Sequence, residues 1–195
     1  MRGVVVAALA AVFALSACQR QSSDEKLPGE RPATVVEAET RVDAVPQEEP
    51  AVARSQWRAV SEQARTVTGN LRVSLEGRRG GPVVFAFANG ITVRAQPYNV
   101  VPADQRAASG GQSFAAILAG DPRVDAHLYR VQTENLIPGR TGGLCGEREA
   151  RHLAVSEFVD SSGRWVFKLA AFAGEAQPPT SADPEFCAAF AFTAQ

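Results

Sequence analysis

Histidine and cysteine are scarce in this sequence, with two and three of them among 195 residues. A zinc site needs three or four nitrogen, sulfur or oxygen ligands held close together. Neither His127 nor His152 has cysteines or clustered acidic residues at a spacing that fits such a site. The sequence therefore predicts no metal ion, and it contains no motif that predicts another cofactor.

An excess of positive charge is also missing. The chain has 20 basic and 21 acidic residues, and its formal net charge is −1. Domains that bind nucleic acid carry a strong basic excess instead. This balance argues against a nucleic-acid partner.

Common catalytic motifs are absent as well. The sequence has no serine-centred elbow, no dinucleotide-binding fingerprint and no pair of carboxylates at a telling spacing. The glycine-rich segment 139–146 lacks the Gly-Lys-Ser/Thr ending of a phosphate-binding loop, and no helix is predicted after it. We interpret it as a loop that a disulfide holds in place.

Long hydrophobic runs are missing except at the N-terminus, where Gly3–Leu15 carries no charge. This run is shorter than the roughly 20 residues that span a bilayer. With Met1-Arg2 before it and small residues at its end, it has the layout of a secretory signal peptide. Its last residues, Leu15-Ser16-Ala17-Cys18, resemble the lipobox of bacterial lipoproteins. The alternative is an ordinary secretory signal peptide that happens to end in cysteine.

The resemblance implies that residues 1–17 are removed and that Cys18 carries a diacylglyceryl thioether and an N-linked fatty acid such as palmitate. Two or three acyl chains anchor a protein firmly, whereas one chain holds only weakly. Gln19 stands where an Asp would imply retention in the inner membrane. We therefore expect a lipid-anchored protein of the bacterial cell envelope, on the outer membrane and facing the periplasm.

Residues 18–54 are predicted to be a disordered connection. They contain four prolines and no aromatic residue, and from residue 19 onward they carry five basic and eight acidic side chains. Such a composition buries too little apolar surface to fold. A flexible chain of this length spans roughly 30–35 Å. The predicted organisation is a signal peptide over 1–17, this connection over 18–54, and one β-rich domain over 55–195.

Cys145 and Cys187 remain for the folded domain. Export places them in an oxidising compartment, where disulfides form and persist. We predict that they pair with each other; two free thiols or a metal-binding pair are the alternatives.

The folded domain is predicted to begin with a short helix over Ser55–Ala64, followed by a strand over Val67–Leu75 whose side chains alternate between apolar and polar. Val83–Gln96 is predicted to be a hairpin. A three-residue loop, Ala88-Asn89-Gly90, would place four large apolar side chains on one face: Phe85, Phe87, Ile91 and Val93.

Four further elements are predicted toward the C-terminus. A helical turn or two covers Ser113–Ala119, and a strand covers Val124–Glu134. A second hairpin, Ala150–Ala173, turns at Ser161-Ser162-Gly163 and pairs Val159 with Trp165 and Ser156 with Lys168; one of its faces holds Leu153, Val155, Val159, Trp165, Phe167 and Leu169. The last strand is predicted over Glu185–Thr193.

In that last strand, Phe186, Phe190 and Phe192 should share one side and Cys187 the other, so that the disulfide lies on the outer face. Hairpins dominate the whole pattern, and no helix of crossover length separates the strands. The predicted fold is mainly β, a small antiparallel barrel or two-layer sheet of about seven strands with one or two short helices.

The candidate catalytic residues are Glu157, His127 and His152. Glu157 falls on the apolar face of the second hairpin, where a carboxylate must be paired, hydrogen-bonded or protonated. The two histidines lie on different predicted strands, with no evident nucleophile near either. Ordinary strand positions are the alternative for all three.

The candidate binding residues are Arg78, Arg79, Arg140 and Thr141, on two glycine-rich loops. If both loops lie at the same end of the domain, they form a patch for an anionic glycan, a lipid headgroup or an acidic protein.

Two functions follow as hypotheses. The first is a non-enzymatic envelope lipoprotein whose β domain binds a partner protein or an envelope component; its plan is similar to that of membrane-bound lysozyme inhibitors, which implies Arg140 and Thr141 as inhibitory residues. The second is a periplasmic hydrolase that uses Glu157 or a histidine in a pocket. A spacer or accessory role in an envelope assembly is not separable from the first by sequence.

Overall fold

The computed structural model describes residues 55–194. Eight antiparallel strands follow one another around a closed barrel, and β8 pairs with β1 to complete it. The strands are β1 (Gln56–Ala59), β2 (Leu71–Leu75), β3 (Val83–Phe87), β4 (Ile91–Val101), β5 (Ala126–Leu136), β6 (His152–Val159), β7 (Trp165–Phe172) and β8 (Phe186–Ala194). The predicted mainly-β fold is confirmed as a barrel. The predicted signal peptide, Cys18 and the connection lie outside the described residues.

The start of the domain differs from the prediction. Gln56–Ala59 is a strand where a helix was predicted, and it pairs with both β2 and β8. Its Trp57 is fully buried inside the barrel. Closure of the sheet satisfies backbone groups on both sides of this strand, which outweighs the local helical pattern. A π-helical turn, Ala64–Thr68, follows, so the next strand begins at Leu71 and not at Val67.

Both predicted hairpins are confirmed in register. Phe85 pairs with Val93 across the first, with Gly90 in the left-handed region at φ 87°. Val159 pairs with Trp165 across the second. Because the first register is correct, its four large apolar side chains all lie in the interior.

Aromatic side chains fill the barrel interior. The rings of Trp57 and Phe167 lie 5.0 Å apart, and those of Phe85 and Tyr129 lie 5.6 Å apart, edge to face. All four residues are fully buried. The interior is therefore a packed core along most of its length.

A second apolar cluster lies outside the barrel wall. The helix α1 (Phe114–Leu118), capped by the Ser113 side chain, packs Phe114 and Leu118 against residues that face outward from β5, β6 and β7. Among the described residues, no helix is long and apolar enough to cross a membrane.

The last strand differs from the prediction in which way Phe186 and Cys187 point. A bulge shifts the register so that Ala171 pairs with Ala188 and Phe172 with Phe186, which leaves Cys187 as the extra residue. Phe186 is consequently 46% exposed and contacts Phe172 on the outer side. Cys187 packs against the interior cluster instead of lying on the outer face.

Cys187 is bonded to Cys145, as predicted, with Cα atoms 5.3 Å apart. The bond ties β8 to the loop between β5 and β6. The neighbouring Leu144 is 1% exposed and belongs to the interior cluster, so this loop closes one end of the barrel. We call this the closed end; it also holds the connections β1–β2, β3–β4 and β7–β8.

The opposite end, which we call the mouth end, holds the connections β2–β3, β4–β5 and β6–β7, because successive strands of the barrel run in opposite directions. The chain also enters the barrel there, since β1 runs from the mouth end toward the closed end.

Candidate binding surface at the barrel mouth

Five inward-facing positions on the four adjacent strands β4 to β7 lie at the mouth end of the barrel, and we call them the mouth: Val100, His127, Glu157, Val159 and Trp165. Their inward direction follows from strand pairing. His127 pairs with Val100 on one side and with the buried Val155 on the other, and Val159 pairs with Trp165. Glu157, two positions beyond Val155, pairs with Phe167.

The structure therefore brings two predicted candidates together. Glu157 and His127 lie on adjacent strands as diagonal neighbours, a placement that puts Cα atoms about 7–8 Å apart. Both side chains are half-buried. Neither strand alone indicated this pairing, because the register between β5 and β6 depends on the long loop that joins them.

The rest of the mouth is apolar and exposed. Val100 and Val159 are each 47% exposed, and Trp165 is 37% exposed. The hairpin pattern assigned Val159 and Trp165 to the buried face, and they do point inward. They form the last strand pair before the turn, however, so they project past the core into solvent. The sequence analysis missed this exposure, and the position of both residues close to the turn was the available signal.

His127 is uncharged at neutral pH. Burial lowers its pKa to about 4, and the nearby Asp125 only partly opposes that effect. A base of this strength is a poor proton acceptor at pH 7. The five mouth residues also include no hydroxyl or thiol nucleophile.

His152 lies elsewhere. It is 4% exposed on the outer side of β6, edge to face with Tyr98 at 6.2 Å between ring centroids. Burial, and then the charge of Arg130, lowers its pKa. The two histidines therefore do not share a site, and within residues 55–194 no three potential metal ligands cluster together.

The two arginine-bearing loops do not lie at the same end of the barrel, which was the condition for the predicted patch. Arg78 and Arg79 are on the β2–β3 turn at the mouth end, whereas Arg140 and Thr141 are on the β5–β6 loop at the closed end.

The guanidinium of Arg140 is also committed within the fold. It donates hydrogen bonds to the backbone carbonyls of Val67, Asn89 and Gly142 at 2.7, 2.8 and 3.2 Å. Thr141 is exposed beside it. Arg140 is therefore a structural residue that holds the loop, which leaves the inhibitor-like presentation of Arg140 without support.

Glu134 has a similar structural role that the sequence analysis missed. Its carboxylate accepts hydrogen bonds from the backbone N–H groups of Leu144 at 2.6 Å and Ala150 at 2.9 Å. These bonds hold both ends of the segment that closes the barrel.

Comparisons with protein-family models, with curated proteins and with solved structures found no match to this chain.

Proposed function

We propose that this protein is a lipid-anchored, non-catalytic protein of the bacterial cell envelope that binds a partner protein through the barrel mouth. The observation that carries the proposal is the exposed apolar surface of Val100, Val159 and Trp165 around the half-buried His127 and Glu157. Partly exposed tryptophan is the residue type most often found at the energetic centre of protein interfaces.

The polar centre of the mouth favours a protein partner over a lipid surface. Acyl chains offer no hydrogen bonds to a carboxylate or an imidazole, so covering these polar side chains with lipid removes their water without replacing its hydrogen bonds. A protein can place an apolar side chain against Trp165 and a polar group against Glu157. The partner is therefore expected to present both kinds of side chain.

The resemblance of Leu15-Ser16-Ala17-Cys18 to a lipobox supports a location at the membrane of the bacterial cell envelope. Cys18 and Ser55 are separated by 36 residues, 19–54. A connection as flexible as its composition predicts would span roughly 30–35 Å. The mouth is thus within reach of partners at or near the membrane surface.

Photo-crosslinking in intact cells tests the proposal. A photoreactive amino acid replaces either Trp165 in the mouth or Phe186, which is similarly exposed at the closed end. We expect a discrete protein adduct from position 165 and none of the same mass from position 186. The same adduct from both positions, no adduct from position 165, or adducts of lipid alone from that position would contradict the proposal.

A further inference from the structure

Among the described residues, β6 has a neighbouring strand on only one side at the mouth end of the barrel. β5 pairs with β6 only over His127–Arg130, and the pair nearest the mouth end joins His127 to Val155. β6 continues to Val159 and keeps its pairing with β7 throughout. No backbone hydrogen bond joins Phe158 or Val159 to the segment that precedes β5. The edge of β6 beyond Val155 is therefore a surface with which another extended segment can pair.

A cleft of about 600 Å³ lies beside this edge. Its walls are residues 119–123, which precede β5, and residues 158–161, which end β6 and begin the turn. The chain ahead of β5 is thus separated from β6 by open space. Because side chains alternate along a strand, Phe158 faces outward into the cleft, whereas Glu157 and Val159 face inward into the mouth.

The inner face beside this edge is acidic. Glu157 belongs to the mouth, and Asp125 lies close enough to His127 to influence its protonation. His127 is itself uncharged at neutral pH, and no mouth residue is a lysine or an arginine. Arg78 and Arg79 are also at the mouth end, but β3, β4 and β5 separate their turn from β6. Positive charge on a partner would complement this face.

The basic residues closer to the cleft do not supply that charge. Arg123 and Arg164 form ion pairs with Asp121 and Asp160, with N–O distances of 2.7 and 3.1 Å. Lys168 faces outward from β7, on the opposite side of the sheet from the mouth. The carboxylates of the inner face therefore remain available to a cation from outside.

We infer that the partner presents an extended segment that pairs with β6 beyond Val155 and carries a lysine or an arginine facing Glu157. The inference rests on the proposed function of the mouth. Side chains of an added strand alternate between the two faces of the sheet. The basic side chain and an apolar one two positions away face the mouth, and the residue between them enters the cleft beside Phe158. Main-chain hydrogen bonds provide affinity, and these three side chains provide specificity.

Photo-crosslinking of the full chain in intact cells tests the pairing, because an added strand is within reach of both faces. A photoreactive amino acid replaces Phe158 in the cleft, Trp165 in the mouth or Ser74, an exposed position on β2. We expect the same partner adduct from positions 158 and 165 and none from position 74. An adduct from 165 without one from 158 would overturn the strand pairing and leave the partner-binding function intact. No adduct from 165 would contradict that function itself.

Hydrogen–deuterium exchange of the purified adduct formed at position 165 tests the backbone contact. The amides of residues 156–159 that exchange fastest in the free chain should exchange at least tenfold more slowly in the adduct. Those of the turn residues 161–163 should change less than twofold. Equal slowing of both segments, or no slowing of residues 156–159, would overturn the strand pairing.

Charge variants test the basic side chain. Glu157→Gln should lower the adduct yield from position 165 at least tenfold, because it removes the facing charge. Asp125→Asn should lower the yield by a smaller factor. Glu62→Gln, which changes an exposed glutamate at the closed end, is the matched control and should stay within twofold. Immunoblotting of the barrel protein corrects each yield for its amount. Yields within twofold of the unchanged chain in both Glu157→Gln and Asp125→Asn would overturn the proposal.

Discussion

The Nη2 atom of Arg140 donates a hydrogen bond to the backbone carbonyl of Val67 at 2.7 Å, across 73 positions of sequence. The same guanidinium reaches the carbonyl of Asn89 at 2.8 Å. One side chain thereby joins three connections at the closed end: the loop that closes the barrel, the π-helical turn and the first hairpin turn. Hydrogen bonds from this one side chain therefore hold three connections of the closed end together.

Arg140→Ala is expected to lower the free energy of unfolding by about 2–3 kcal/mol, because it leaves part-buried carbonyls without their charged donor. Arg140→Lys should restore little of this free energy, since the lysine ammonium cannot reproduce the planar set of N–H donors of a guanidinium. Arg148→Ala is the control. Its ion pair with Glu185 is more than half exposed on both sides and should contribute about 0–1 kcal/mol. Urea unfolding monitored by circular dichroism measures the free energy of unfolding of all three variants. Equal losses of this free energy for Arg140→Ala and Arg148→Ala would contradict the structural role of Arg140.

Gly143→Ala is expected to destabilise the closed end strongly. An added Cβ would lie 2.3 Å from the Glu134 Oε1, which must then move away from the Leu144 and Ala150 N–H groups. A loss of about 1–3 kcal/mol follows if those groups lose their acceptor. The control is Gly120→Ala, where the nearest atoms are 3.7 Å away. In thermal unfolding, the melting temperature of Gly143→Ala should be well below that of Gly120→Ala. The reverse order would refute the stabilising role of the Glu134 hydrogen bonds.

The two hairpins could be predicted from sequence because their register depends on local chemistry. Gly90 and Gly163 supply the positive φ that a three-residue loop needs, and alternating apolar residues flank both turns. The end at which each loop lies could not be predicted, because it depends on the number and order of all the strands.

Contacts between distant parts of the sequence could not be predicted either. The positions of Trp57, Val60 and Ala64 fit a helical face, but Gln56–Ala59 is extended because it fills the place between β2 and β8, and Ala64 begins the π-helical turn. The partners of Arg140 lie 51 and 73 positions away. No local pattern encodes such contacts.

Removing the disulfide should destabilise the barrel by about 4 kcal/mol in the chain-entropy model, because it closes a loop with a sequence separation of 42. The variant with Cys145→Ala and Cys187→Ala tests this by urea unfolding. The wild-type protein treated with reductant should lose a similar amount. A loss below about 1 kcal/mol in both experiments would show that the other contacts of the closed end suffice.

Stability should fall on acidification between pH 6.5 and 4. The pKa of His127 is about 4 in the folded chain, against an ordinary value of 6.5, so the unfolded chain takes up a proton in this range and the folded chain does not. The expected loss from this residue is roughly 1–3 kcal/mol.

His127→Asn should therefore flatten the dependence of the urea midpoint on pH over that range. Asp121 and Asp160, whose pKa values are held at about 2 by hydrogen bonds from Arg123 and from Ser162, titrate below it. An unaltered slope in His127→Asn, or a His127 signal that titrates near pH 6.5 by NMR, would contradict the assignment.

Cys18→Ser should abolish labelling of the protein with radioactive palmitate and release it from the membrane fraction, because the lipobox resemblance makes Cys18 the acylated residue. Cys145→Ser is the matched control and should keep the label. Labelling that survives Cys18→Ser would refute the lipoprotein assignment.

The central claim is that the mouth is the surface through which this protein binds its partner. The most direct measurement places a photoreactive amino acid at Val100 and compares adduct yield in three backgrounds. We predict a yield at least tenfold lower with Trp165→Ala than in the otherwise unchanged chain, and a yield within twofold with Phe186→Ala. Equal yields in all three backgrounds would contradict the claim.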